Sequence, residues 1–197
     1  MSKTIDYYFT PVSPWTYLGH ERFVALAKRH GASVNVKPVD LGRIFPVSGG
    51  LPLAKRAPQR QAYRLVELKR WSEFLGAPLV LKPKFFPVPA DEAALAIIAA
   101  EGAGGSAAAL RLAGALMRAC WAEERDISDL ATLGRIAAEC GMAAPGAEAR
   151  AAAKAKFEAC TQEAIDLQVF GAPSYVYRGE IFWGQDRLDF LDRALAS

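Results

Sequence analysis

Strand-forming sequence is confined to the two ends of this chain, and a long alanine-rich stretch with helical periodicity separates them. Residues 5–9 (Ile-Asp-Tyr-Tyr-Phe) are aromatic and β-prone, and Thr10-Pro11-Val12 after them reads as a turn. Ser13 is a good helix N-cap and Pro14 suits the first helical position. Trp15, Leu18, Phe23, Leu26 and Ala27 then recur at helical spacing until Gly31 stops the run. Residues 34–39, with Asn35 and Lys37 alternating between valines, read as a second strand, which a handed crossover makes parallel to the first. At the other end, residues 174–178 and 181–183 flank a tight Gly179-Glu180 turn, and a helix is expected over 186–196. Between the ends, helices are predicted at 59–75, 91–101, 106–123, 129–140 and 147–167, separated by Gly, Pro or Ser breaks.

The order βαβ, helical block, ββα predicts an α/β fold: a thioredoxin-like domain (residues 1–42 and 168–197) carrying a large all-helical insertion (43–167) over the edge where the first helix begins. With 197 residues, 52% of them hydrophobic, the chain has enough material for a core. Residues 1–15 hold one lysine, two prolines and no continuous apolar run, matching neither a secretory signal nor an anchor. The longest uninterrupted apolar run, 93–100, is too short for a bilayer. A cytoplasmic protein with no membrane partner is expected. The three cysteines, Cys120, Cys140 and Cys160, show neither metal-knuckle nor Cys-x-x-Cys spacing and read as small buried hydrophobes of a reducing compartment.

Net charge is only +3, yet nine Lys or Arg lie between Arg43 and Lys84 against Glu67 and Glu73 alone. Such a segment is either a solvated helix face or a field that draws in a small anionic substrate. No nucleic-acid motif accompanies it, and no nucleic-acid partner is expected.

Three short segments carry chemistry. Ser13 stands where the first strand hands over to the first helix, where free N–H groups and the helix dipole favour an anion. A thiolate there would have its pKa depressed, and a serine hydroxyl would add a hydrogen bond to the charged form. Local sequence leaves Ser13 open between that role and plain capping. In Phe170-Gly171-Ala172-Pro173-Ser174, a cis bond before Pro173 would turn the N–H and C=O of Ala172 toward a peptide-like ligand, and a bland turn proline is the other reading. In Trp183-Gly184-Gln185-Asp186-Arg187, an amide and a carboxylate at a helix start suit a γ-glutamyl unit, although Asp186 also suits an ordinary cap. His20, on the first helix, reads as structural, and His30 ends that helix, where a cation is favourable. There is no Gly-x-Ser-x-Gly elbow, no glycine-rich nucleotide loop and no metal-ligand cluster, so no metal is expected.

Asp6-Tyr7-Tyr8-Phe9-Thr10-Pro11-Val12-Ser13-Pro14-Trp15-Thr16-Tyr17-Leu18, together with the two later segments, closely resembles the 2-hydroxychromene-2-carboxylate isomerases and the kappa-class glutathione transferases of the DsbA-like group. Val39-Asp40-Leu41, Lys69-Arg70-Trp71 and Trp121-Ala122-Glu123-Glu124-Arg125-Asp126-Ile127-Ser128 extend the likeness over nearly the whole chain. The resemblance implies a homodimer that binds glutathione and acts on a small aromatic carboxylate. By resemblance Ser13 is the catalytic residue and contacts the glutathione sulfur, with Pro14 and Trp15 beside it. Ala172 and a cis Pro173 flank the cysteinyl backbone, and Trp183, Gly184, Gln185 and Asp186 hold the γ-glutamyl end. Phe45, Pro46, Gly50, Lys55 and Phe85 are the corresponding substrate-side residues. The mechanism that this resemblance implies has the thiolate add to the chromene ring, which opens, rotates and expels the thiol. A serine instead of a cysteine at 13, and Thr16 in the second cysteine's place, argue against disulfide exchange. The chain departs from these families at Ser48-Gly49-Gly50, where they carry an asparagine. A kappa-like transferase or peroxidase, and a non-catalytic glutathione- or peptide-binding scaffold, are the alternatives.

Overall fold

Buried aromatic residues alternate faces along the first strand and so set up two packed layers around one sheet. In the computed structural model, which describes residues 3–197, β1 (Thr4–Phe9) is one of two inner strands of a four-stranded sheet of order β2-β1-β3-β4. It runs parallel to β2 (Ser33–Pro38) and antiparallel to β3 (Ser174–Tyr177), which pairs antiparallel with β4 (Glu180–Trp183). Ile5, Tyr7 and Phe9 point to one face and Tyr8 to the other, as the period of two requires.

On the first face Tyr7 stacks on Phe9 and Tyr175 against Phe23 of α1 (Pro14–Arg29), and this cluster continues into α4 (Asp91–Trp121), α5 (Leu130–Glu139) and α7 (Leu188–Ala196). On the second face Tyr8 meets Ile44 of α2 (Leu41–Ser48) and Cys160 and Ala164 of α6 (Ala147–Asp166). A smaller seam of Ala94, Ile98, Ala153 and Phe157 joins α4 to α6. The remaining helix, α3 (Pro58–Leu75), buries only Leu68 fully and leaves one flank to the cleft described below.

Expected and observed elements agree closely at the ends of the chain and differ in two places in the middle. The helices predicted at 91–101 and 106–123 are both present but no loop separates them: they run together as α4, which leaves helical geometry at Gly104 and Gly105, where φ 72° and ψ −176° at Gly105 place the backbone in a region open to glycine. With the break reduced to a kink, α4 becomes long and apolar enough to cross a membrane by length and composition, unlike the run at 93–100 alone. Half of its most apolar window is buried in the protein, where Ile97, Leu112, Leu116 and Trp121 belong to the core. The second difference is α2, where no helix is expected and the Asp40 carboxylate caps the Gly42 N–H at 2.7 Å. The domain boundary drawn at residue 42 falls inside it.

Candidate active site

The loop between β1 and α1 opens onto a cleft of about 1490 Å³ that α2, α3 and the β3–β4 hairpin also wall. Ser13 is 8% exposed at the start of α1. Its N–H donates to Thr10 O at 3.1 Å, and its Oγ accepts from Thr16 N at 3.2 Å. Accepting uses a lone pair, so the hydroxyl proton remains available to donate. Pro14 has no N–H, and Trp15 N–H has no backbone acceptor among the described residues. A free hydroxyl and a free amide therefore share the positive end of α1. Ser13, Pro14 and Trp15 all line the cleft.

Ala172 faces the same space. Its bond to Pro173 is cis, β3 begins only at Ser174, and neither backbone group of Ala172 has a partner among the described residues. The loop is held from behind: Ser174 Oγ donates to Gly171 O at 2.8 Å, and Gly184 N–H donates to Pro173 O at 2.9 Å. Pro173 itself does not line the cleft. Phe170 and Trp183 meet edge to face, 4.8 Å between centroids, on the rim beside Ala172.

Gln185 lines the cleft and is also held from behind. It is almost fully buried, and its side-chain oxygen accepts from Arg22 Nη1 of α1 at 2.9 Å. The amide thus anchors the turn to α1, and Asp186 beside it presents a carboxylate, paired with Arg187 at 2.7 Å, to the cleft. Of the expected substrate-side residues, Phe45 and Gly50 line the cleft, whereas Pro46, Lys55 and Phe85 do not. The ring of Phe45 lies against Gly50, where a Cβ would come within 2.3 Å of it. Ser48, Gly49 and Gly50 all reach the cleft wall.

Sequence reasoning offered the basic run from Arg43 to Lys84 as a field for an anionic substrate without assigning its arginines to a wall, and α3 turns part of that run to the cleft. Arg60, Arg64, Glu67 and Trp71 lie along its cleft side at helical spacing, a stripe visible in the sequence at intervals of four, three and four. Phe86, after α3, completes that wall. The cleft is less one-sided in charge than the run of cations implies, because Asp40, Glu67, Asp91 and Asp186 line it with Arg56, Arg60, Arg64 and Arg187. Three of those acids are already engaged, Asp40 as a cap, Glu67 with Arg70 and Asp186 with Arg187.

His20 lies inside the core, with Nδ1 3.2 Å from Tyr7 Oη and Nε2 3.0 Å from Leu110 O, and does not reach the cleft. Burial pulls its pKa below the ordinary histidine value. Thr16 is fully buried, and its hydroxyl has no partner. None of the three cysteines lines the cleft, and burial raises the pKa of each thiol, that of Cys120 to about 12.

The chain is similar over most or part of its length to several known proteins. The 2-hydroxychromene-2-carboxylate isomerase of Sphingobium xenophagum is 29% identical over 99% of this chain and 99% of its own. The glutathione S-transferase kappa 1 of Caenorhabditis elegans is 34% identical over 41% of this chain and 36% of its own. A solved 2-hydroxychromene-2-carboxylate isomerase superposes with a TM-score of 0.79 and 26% identity, covering 98% of this chain and 94% of that one. Residues 4–196 match the family model described as DSBA-like thioredoxin domain, and the protein is a member of that family.

Proposed function

We propose that the protein is a glutathione-dependent isomerase of 2-hydroxychromene-2-carboxylate-type substrates. The observation that carries the reading is the pairing of a free Ser13 hydroxyl and a free Trp15 amide at the start of α1, in a cleft with no cysteine on its walls. Two donors at a helix N-terminus suit a thiolate, and the chain provides none of its own there. Full-length similarity to named isomerases supports this reaction.

Ser13 would hold the sulfur of glutathione, the unpaired backbone of Ala172 its cysteinyl unit, and Asp186 its γ-glutamyl ammonium. Glutathione supplies a nucleophilic sulfur that adds to the substrate and leaves again unchanged. The part of the chain is electrostatic: Ser13 and Trp15 lower the proton affinity of a sulfur placed between them, so that it is ionised at neutral pH. The aromatic wall of Phe45, Trp71 and Phe86 suits a planar ring. The free state of all three cysteines fits work in the cytoplasm, and the exposed Phe74 of α3 fits a homodimer.

The test is turnover of 2-hydroxychromene-2-carboxylate by wild type and Ser13→Ala, with and without glutathione. Turnover that requires glutathione and falls about a hundredfold or more in the variant is expected, the size typical of losing an oxyanion-type donor. Turnover independent of glutathione, or untouched by Ser13→Ala, overturns the proposal. The local likeness to a kappa transferase favours a second reading, in which glutathione is consumed by an electrophile in the same cleft. Stoichiometric loss of thiol during turnover identifies it.

A further inference from the structure

Seven Lys or Arg residues are half-buried in the described part of the chain, and six of them have an acceptor. Lys3 donates to Leu195 O, Arg22 to Gln185, Lys37 to Glu163, Arg56 to Leu51 O, Arg125 to Glu139 and Arg150 to Glu92. The seventh, Arg64 of α3, has no hydrogen-bond acceptor and no carboxylate within reach among the described residues, and it lines the cleft.

Its guanidinium is nonetheless held in place. The central carbon sits 5.6 Å from the ring centre of Phe86 and 5.8 Å from that of Trp121, and the two rings lie 4.7 Å apart at 48°. Trp121 is fully buried in the core, so this support is rigid. Aromatic faces attract the cation and fix its plane but accept none of its five N–H groups, which leaves the donor edges for a ligand. Burial, followed by the neighbouring Arg56 charge, lowers the Arg64 pKa to about 10. It remains charged at neutral pH in a place that favours pairing with an anion. A desolvated fork of parallel donors matches a carboxylate in two-point contact.

We infer that Arg64 is the anchor for the carboxylate of the aromatic substrate, held edge-outward by Phe86 and Trp121 so that it fixes that acid on the α3 wall of the cleft. The inference rests on the proposed aromatic-carboxylate reading of the cleft and adds the residue that would select an acid over a neutral ring. The carboxylates of glutathione are the other source of the same chemistry, and the two are separable.

The test uses calorimetric titration of the whole protein, without glutathione, with trans-2-hydroxycinnamate and with its uncharged primary amide. Wild type is expected to prefer the acid by about tenfold to a hundredfold, the range for hydrogen bonds to a charged group. Arg64→Met should erase that preference and leave the amide affinity within about twofold. A parallel titration with glutathione should give the same affinity in wild type and variant. An acid preference that survives in Arg64→Met, or a loss that falls on glutathione instead, overturns the inference. If Arg64→Met loses both acid and amide through a collapsed wall, Arg64→Lys decides. A point-charge ammonium should lower the acid preference at least about threefold, and an unchanged preference refutes the anchor. Because the titrations with the acid and the amide contain no glutathione, absence of isomerase turnover would sink the proposed reaction without changing what they report about Arg64.

Discussion

Ser13 does two jobs with one oxygen, capping α1 through its lone pair and, on the proposed reading, donating its proton to a thiolate. Different substitutions separate them. Ser13→Ala should cost about 1 kcal/mol of stability through the lost cap. Ser13→Asp should restore the cap, with urea unfolding within about 1 kcal/mol of wild type, yet abolish glutathione-dependent turnover, because a carboxylate has no proton to give and repels the sulfur. Turnover retained by Ser13→Asp would reduce Ser13 to a cap. His20 makes a separate prediction. Burial depresses its folded-state pKa below the unfolded value of 6.5, so the unfolded chain binds the extra proton, and stability rises with pH across that interval. The contribution is fully present above pH 6.5 and is lost as pH falls toward the folded-state value. Urea midpoints of wild type should drop between pH 7.5 and 5.5, and His20→Gln should remove part of that drop. Ser13 was legible because capping is local chemistry written into Ser-Pro at a helix start. The engagement of Gln185 by Arg22 was not, because the partner lies 163 residues away. The isolation of Arg64 was equally hidden, since lacking a partner is a property of the whole neighbourhood.

Helix α1 packs against the Gln185–Asp186 turn through a close approach at Gly19. A Cβ there would lie 2.7 Å from Gln185 Cβ and 3.1 Å from Tyr175 Oη. Gly19→Ala should therefore cost about 1–3 kcal/mol in thermal unfolding, as overpacking does, and weaken glutathione binding by pushing the Gln185–Asp186 turn off α1. Gly134→Ala on α5, where a Cβ meets nothing within 4 Å, is the control and should stabilise by up to about 1 kcal/mol. Equal glutathione affinity in Gly19→Ala and wild type would show that this contact does not position the turn. The first two strands and helices α1 and α5 were legible because their signals are local: β-prone aromatic residues in β1, valines alternating with polar residues in β2, and side-chain caps on α1 and α5. Helix α2 escaped notice because Pro46 inside eight residues reads as a breaker, and its burial rests on Ile44 alone. The break in α4 was legible in Gly104 and Gly105, but the lack of a loop between its two helices was not.

One hydrophobic cluster runs from the sheet through α1 into α4 and α5, joining Ile5 and Phe23 to Leu116, Trp121 and Leu133. The order of segments predicted an insertion, but the continuity of this core was not legible, because no local pattern says which buried faces meet. With no seam between sheet and insertion, chemical unfolding should follow a single transition, with tryptophan fluorescence and far-ultraviolet circular dichroism giving the same midpoint. Two separated midpoints would mean that residues 43–167 form an independently folding unit. The bare walls of the cleft, from which Cys120, Cys140 and Cys160 are all absent, also bear on durability. On the proposed reading, a reactive centre that rents its sulfur from solution loses nothing permanent when that sulfur is oxidised or alkylated, because the spoiled molecule diffuses away and a fresh one takes its seat. Its working rate is then tied to the supply of reduced tripeptide around it.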